Sequence, residues 1–338
     1  MFQILTSVGV SIIPVFVFLI ALIVLDSFKL VPIRSILIAI VLGCVVAGIS
    51  YFLNTLLIER LELDLVIYSR YGAPAIEEML KAIYIIILIR SKQIGFMVDA
   101  AIYGFAVGAG FSFIENIYYL QTLKDASIVV WIIRGFGTAV MHGGTTAIFA
   151  VIAKDFCDRH DSTSLRWFLP GLGAAIVIHS IFNHFILPPL WMTLIILTTL
   201  PFTLAVIYHE SEKATRNWLG VGFDTDMDLL QMILAGNIKH TKIGTYLQTL
   251  QSRFRGEVVA DILCYLRIYL ELSIRAKSIL MMREAGLPPP SDTSDIKEKF
   301  AEMKYLEKSI GRTGSLALHP FIHTSSRNLW QLNMLEKK

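Results

Sequence analysis

The chain has 338 residues, 55% hydrophobic and 17% charged, with a net charge of +3 and a mean hydropathy of +0.62. Soluble domains carry about 25% charged residues, so the composition excludes an ordinary soluble protein and points to an integral membrane protein. It also excludes collagen-like, disordered and disulfide-framework classes, and so small a net charge gives no sign of a nucleic-acid partner.

Charge is distributed unevenly: residues 1–208 hold 12 Lys/Arg and 12 Asp/Glu, residues 209–338 hold 18 and 15. The expected architecture is all-α, a polytopic membrane helix bundle over 1–208 followed by a soluble, mostly helical cytoplasmic domain over 209–338. A spanning helix needs roughly 20 apolar residues. Seven windows meet this, some with charges inside them: about 8–25, 35–58, 73–89, 98–120, 130–152, 168–187 and 190–208. The first lacks a basic flank and a small-residue cleavage site, so it reads as a span and not a cleaved signal. In the fourth, Ala100, Gly104 and Gly108 have the i, i+4, i+8 small-residue spacing that lets membrane helices approach closely. Pro188-Pro189 predicts a tight hairpin between the last two helices, and Pro201 a kink in the seventh.

Loop Lys and Arg set the expected orientation. With the N-terminus outside, Lys29, Arg34, Arg90, Lys92, Lys154, Arg159 and Arg166 fall in cytoplasmic loops, against Arg60, Arg70 and Lys124 in outer loops, with Arg134 close to an outer helix end. The basic C-terminal domain is then cytoplasmic and the protein a multi-pass protein of the cell membrane. That domain shows one clear helix over about 257–284, with an apolar stripe through Val259, Ile262, Leu266, Tyr269 and Leu270. Gly286 and Pro288-Pro289-Pro290 end it. A shorter helix over about 295–309 follows, and the remainder reads as loose. Cys44, Cys157 and Cys264 lack metal-ligand spacing and read as free thiols.

Ionisable groups inside a bilayer cost about 2.5–3.5 kcal/mol each at a helix centre and therefore face the protein interior. Here they concentrate on helices three to six. Helix three carries Glu77, Glu78 and Lys81, helix four Glu115 and Asn116, helix five His142, and helix six His179 and Asn183. In the orientation above, Glu77, Glu78, Glu115, His142, His179 and Asn183 all fall in the outer half of the bilayer, which favours one shared site. Lys81 is i+4 from Glu77 and i+3 from Glu78, so it can partner either. The two glutamates lie about 100° apart on the helix, which predicts different jobs: one for water or substrate, one for a structural hydrogen bond. Asp99 suits a helix N-terminal cap.

Such a set supports hydrolysis. A carboxylate serves as general base on water and then as acid to the leaving amine, while imidazole and amide groups stabilise the oxyanion. Alternatively His142, His179 and Glu115 have the ligand types of a catalytic zinc site, with Glu77 or Glu78 as base. The absence of an HExxH motif favours the scheme without a cofactor. Each residue also has a plainer reading: a structural Glu–Lys pair, or core histidines. A buried ion pathway is disfavoured because residues 100–110 and 168–178 carry no charge.

Glu-Glu-x-x-Lys, Phe-x-x-x-Glu-Asn, a lone membrane His and His-x-x-x-Asn, in that order on successive helices, resemble the PrsW family of intramembrane proteases. That family is in turn similar to the CAAX prenyl endopeptidases and bacteriocin-processing proteins. The resemblance covers about residues 70–190. It implies that one of Glu77 and Glu78 activates water, that Glu115 stands where the CAAX enzymes have His, and that Asn183 stabilises the oxyanion. Lys81 and Asn116 would support them. It further implies a membrane-anchored, anti-sigma-factor-like protein substrate cut near the outer boundary of the lipid bilayer. The alternative is a non-catalytic binding, immunity or scaffold protein of the same superfamily.

Overall fold

The computed structural model describes residues 2–123, 125–290, 294–318, 322 and 326–336, so Lys124 lies outside the described residues. The chain divides into two compact units, Met1–Glu212 and Lys213–Lys338.

The first unit contains α1 (Phe2–Leu25), α2 (Ile33–Leu61), α3 (Ala73–Arg90), α4 (Met97–Thr122), α5 (Ala139–Arg159), α6 (Leu169–His184) and the start of α7 (Pro189–Leu234). Six described helical segments are long and apolar enough to cross a membrane; α3 falls outside that count because Glu77, Glu78, Lys81 and Arg90 occupy its 18 residues. The helical bundle expected from the sequence is therefore present, with α3 as its one polar member. α4 and α5 are buried on nearly every side, whereas α1, α2, α6 and α7 each keep a broad apolar face exposed. Lipid solvates such faces at no cost.

Glycine brings α4 and α5 into close contact. A Cβ on Gly104 would stand 2.5 Å from the Thr146 carbonyl oxygen, and one on Gly108 2.2 Å from that of His142. The small-residue spacing thus sets the depth of His142 in the bundle.

Two π-helical turns, Tyr68–Gly72 before α3 and Ile133–Thr138 before α5, interrupt the regular ladder; such turns frequently mark functional sites. At the opposite end Asp99 accepts from the Gly95 and Phe96 amides at 2.8 and 3.3 Å, fulfilling its capping role. Phe185 turns left-handed between α6 and α7 (φ 47°), and α7 runs without interruption through Pro201.

The second unit adds α8 (Lys242–Gln251), α9 (Gly256–Glu284), α10 (Ser294–Leu318) and α11 (Ser326–Glu336) to the distal part of α7. The stripe on α9 is its core: Val259, Ile262, Leu266, Tyr269 and Leu270 are buried together. Gly286 ends α9 at φ +71°. Two expectations change. The helix read over 295–309 continues to Leu318 past a break at Gly311, and part of the remainder read as loose is helix α11. Its pattern is too short to stand alone; burial of Trp330 and Leu335, and the bond from Gln331 Nε2 to Ser273 Oγ at 2.9 Å, hold it.

Gly108→Val should overpack the α4–α5 contact, costing about 1–3 kcal/mol. Thermal unfolding of the purified protein in detergent should register the loss, and an unchanged midpoint would contradict the close approach.

Candidate active site

Lys81, on α3, has no exposed surface. Its ammonium donates to Glu78 Oε1 at 2.8 Å and lies 2.9 Å from His142 Nδ1, with the Phe111 ring beneath it at 4.1 Å. An ammonium can only donate, so Nδ1 of His142 is the acceptor and the imidazole proton sits on Nε2. Nε2 in turn faces Glu115 Oε2 at 3.1 Å.

Glu78 accepts also from His179 Nδ1 at 2.9 Å and from Thr145 Oγ1 at 3.2 Å. With its proton on Nδ1, His179 keeps a free lone pair on Nε2, which faces Glu77 Oε2 across 3.8 Å. The two imidazoles stand edge to face, centroids 4.8 Å apart.

The adjacent glutamates therefore have separate environments. Glu78 is enclosed, its side chain 1% exposed and its Oε1 shared by three donors. Glu77 is 14% exposed and takes one side-chain bond, from Asn54 Nδ2 at 3.3 Å. Asn54 is itself aligned by Tyr68, whose hydroxyl donates to its Oδ1 at 2.8 Å.

Glu115 meets Arg134 NH2 at 3.2 Å. Arg134 also donates from Nε to Asn116 Oδ1 at 2.9 Å and lies over the Tyr119 ring, while Asn116 Nδ2 donates to the Ser11 carbonyl at 2.7 Å. Arg134, expected close to an outer helix end, lies in the second π-helical turn with its guanidinium on Glu115.

Glu77, Glu78, Lys81, Glu115, His142 and His179 thus converge, with Asn116 bracing the edge through Arg134. Asn183 is engaged elsewhere, its Nδ2 donating to the Ser69 carbonyl at 2.9 Å. The neighbouring Ser180 Oγ donates to the Arg70 carbonyl at 2.6 Å. The last turn of α6 thus binds the first π-helical turn, while His179, one turn earlier, reaches the cluster. Asn54, Tyr68, Thr145 and Arg134 were not singled out as site residues from the sequence. A polar Asn54 within the apolar 35–58 window was the one signal available; the others look like ordinary membrane-helix residues or loop charge.

A buried acid–base cluster inside a polytopic helix bundle defines the class: a membrane-embedded hydrolase. Residues 31–207, just over half of the chain, match the PrsW family intramembrane metalloproteases, and the chain belongs to that family. It is thus a multi-pass membrane protein and a protease. No curated protein matches it, and no solved structure does.

The family's description implies a metal ion. Among the described residues, Glu77, His142 and His179 present ligand atoms within 4.8 Å of one another, so Glu77 replaces the expected Glu115 in that set. Glu77 and His179 Nε2 suit a metal, and Glu78 on Nδ1 gives His179 the carboxylate support typical of zinc ligands. His142 does not fit as its protons stand: Lys81 occupies Nδ1, and Nε2 carries the proton.

Glu78→Ala should strand the buried Lys81 charge and destabilise the protein by about 3–5 kcal/mol, whereas Glu77→Ala should leave the unfolding midpoint near wild type. Equal losses in a detergent melt would refute the division of roles.

Proposed function

We propose that this protease hydrolyses a peptide bond of a membrane-anchored protein, with Glu77 as the residue that activates water. The carrying observation is the contrast between the two glutamates: Glu78 is enclosed, its Oε1 accepting from Lys81, His179 and Thr145, and Glu77 keeps 14% of its side chain exposed beside a free imidazole lone pair.

A water between Glu77 and His179 Nε2 gives its proton to Glu77 as its oxygen attacks the scissile carbonyl. The electron pair of the C=O bond moves onto oxygen, and the His142 Nε2–H, released from Glu115, donates to that oxyanion. Collapse breaks the C–N bond, and Glu77 passes its proton to the departing amine. General acid–base transfer of this kind is worth about 10²–10⁴-fold, and an oxyanion donor about 10²–10³-fold. Asn183, as oriented by Ser69, takes no part. Because His142 presents a proton and not a lone pair, no step runs through zinc.

The substrate belongs to the class of single-span or tethered proteins, anti-sigma-factor-like by the family's resemblance. The distribution of loop Lys and Arg supports an outside N-terminus and a cytoplasmic C-terminal unit, with the site in the outer half of the bilayer.

Glu77→Gln should lower kcat on a membrane-tethered reporter by at least about 100-fold, and a zinc chelator should leave the wild-type rate unchanged. Stoichiometric zinc in the purified protein, with activity lost on chelation, would overturn the metal-free scheme. Cys264, free and exposed, should react with an impermeant maleimide only after cell lysis; labelling of intact cells would reverse the orientation.

A further inference from the structure

A cavity of about 300 Å³ lies between α5, α6 and α7, walled by Met141, Thr145, Ile178, Phe182, Ile196 and Leu200 among others. Exposed Ile181 and Ile195 stand in its wall, so it opens towards the lipid side. The α4–α5 contact in the same unit closes to glycine distance, whereas the space between α5, α6 and α7 stays open. α7 is tied at one end, where Tyr208 donates to the Leu22 carbonyl at 2.8 Å and Ser211 Oγ accepts from the Val98 amide at 3.3 Å. Towards its other end Thr193 reaches Gly137. Between these ties Gly144 leaves α5 without a side chain, and Leu200 fills part of the gap, within 2.7 Å of where a Cβ on Gly144 would lie.

The cavity adjoins the active cluster. Met141 and Ile178 immediately precede His142 and His179, and Thr145, which donates to Glu78, lines both. No charged side chain lines it, and the Thr199 hydroxyl is spent on the Ile195 carbonyl at 2.7 Å, so nothing there would hold a lipid phosphate. Lipid tails are as apolar as leucine, which leaves shape, and a covalent link to the scissile bond, as the grounds for preferring a protein occupant.

We propose that this cavity is a substrate subsite taking one bulky apolar side chain, of leucine to phenylalanine size, beside the scissile bond. Leu200 and Gly144 set its depth. The assignment rests on the proteolytic reading above. An apolar cavity of about 150 Å³ already accommodates benzene, so this one has room for an aromatic side chain and part of its neighbour.

The test uses the full-length Glu77→Gln protein in phospholipid nanodiscs, which can hold a peptide without cutting it. Two photoreactive probes are compared: a synthetic single-span peptide carrying a diazirine leucine at its boundary, and a phospholipid with a diazirine in its acyl chain. Peptide label should map to Met141, Ile178, Ile196 or Leu200 and be competed by unlabelled peptide. The half-buried position 196 tolerates enlargement, and Ile196→Trp should cut the labelling by about tenfold, the low end of what one misfit in an apolar pocket is worth. Peptide label elsewhere, labelling unaffected by Ile196→Trp, or lipid label that peptide does not displace would overturn the subsite. Wild-type protein is assayed for cleavage of the same peptide. Cleavage absent with labelling intact would count against the proposed reaction and leave the subsite standing.

Discussion

The Lys81 ammonium is the constraint from which the active cluster follows. A cation removed from water inside an apolar bundle costs several kcal/mol unless its geometry is fully met. Glu78, His142 Nδ1 and the face of Phe111 meet it. Each of these contacts then propagates. Glu78, committed to Lys81, fixes the proton of His179 on Nδ1 and turns its Nε2 towards Glu77. His142, accepting from Lys81, must carry its proton on Nε2 and becomes a donor. One buried charge thereby sets both tautomers and leaves Glu77 as the carboxylate free to handle water.

The backbone delivers these side chains by two unlike means. Glycine on α4 lets α5 approach until the His142 carbonyl nearly touches Gly108, a rigid contact suited to holding an imidazole in place. The π-helical turns work by offset: each shifts the helix that follows it, bringing Arg134 onto Glu115 and presenting the Ser69 and Arg70 carbonyls to α6. Against this rigid centre, α7 is held near both ends, and the space left beside it between them is where a substrate side chain is proposed to fit.

The membrane bundle was legible in the sequence because hydrocarbon tolerates so few alternatives: long apolar runs must be helices, and rare charges must turn inward. The motifs on helices three to six led to seven of the converging or bracing side chains by the same logic. In the second unit α9 was legible from its stripe, whereas α11 was not, since an isolated eleven-residue segment signals little until Trp330 finds its pocket.

By itself, then, the sequence determined that scarce polar groups on four helices meet in one buried site, because solvation in lipid forbids them to disperse. Which glutamate is free, which imidazole donates, that Arg134 belongs to the site and that Asn183 is spent on Ser69 emerge only once the helices are packed together. Those outcomes depend on a few tenths of an ångström between helices far apart in sequence, and on which hydrogen-bond partner lies within reach of a given lone pair. Local spacing along one helix carries no record of either.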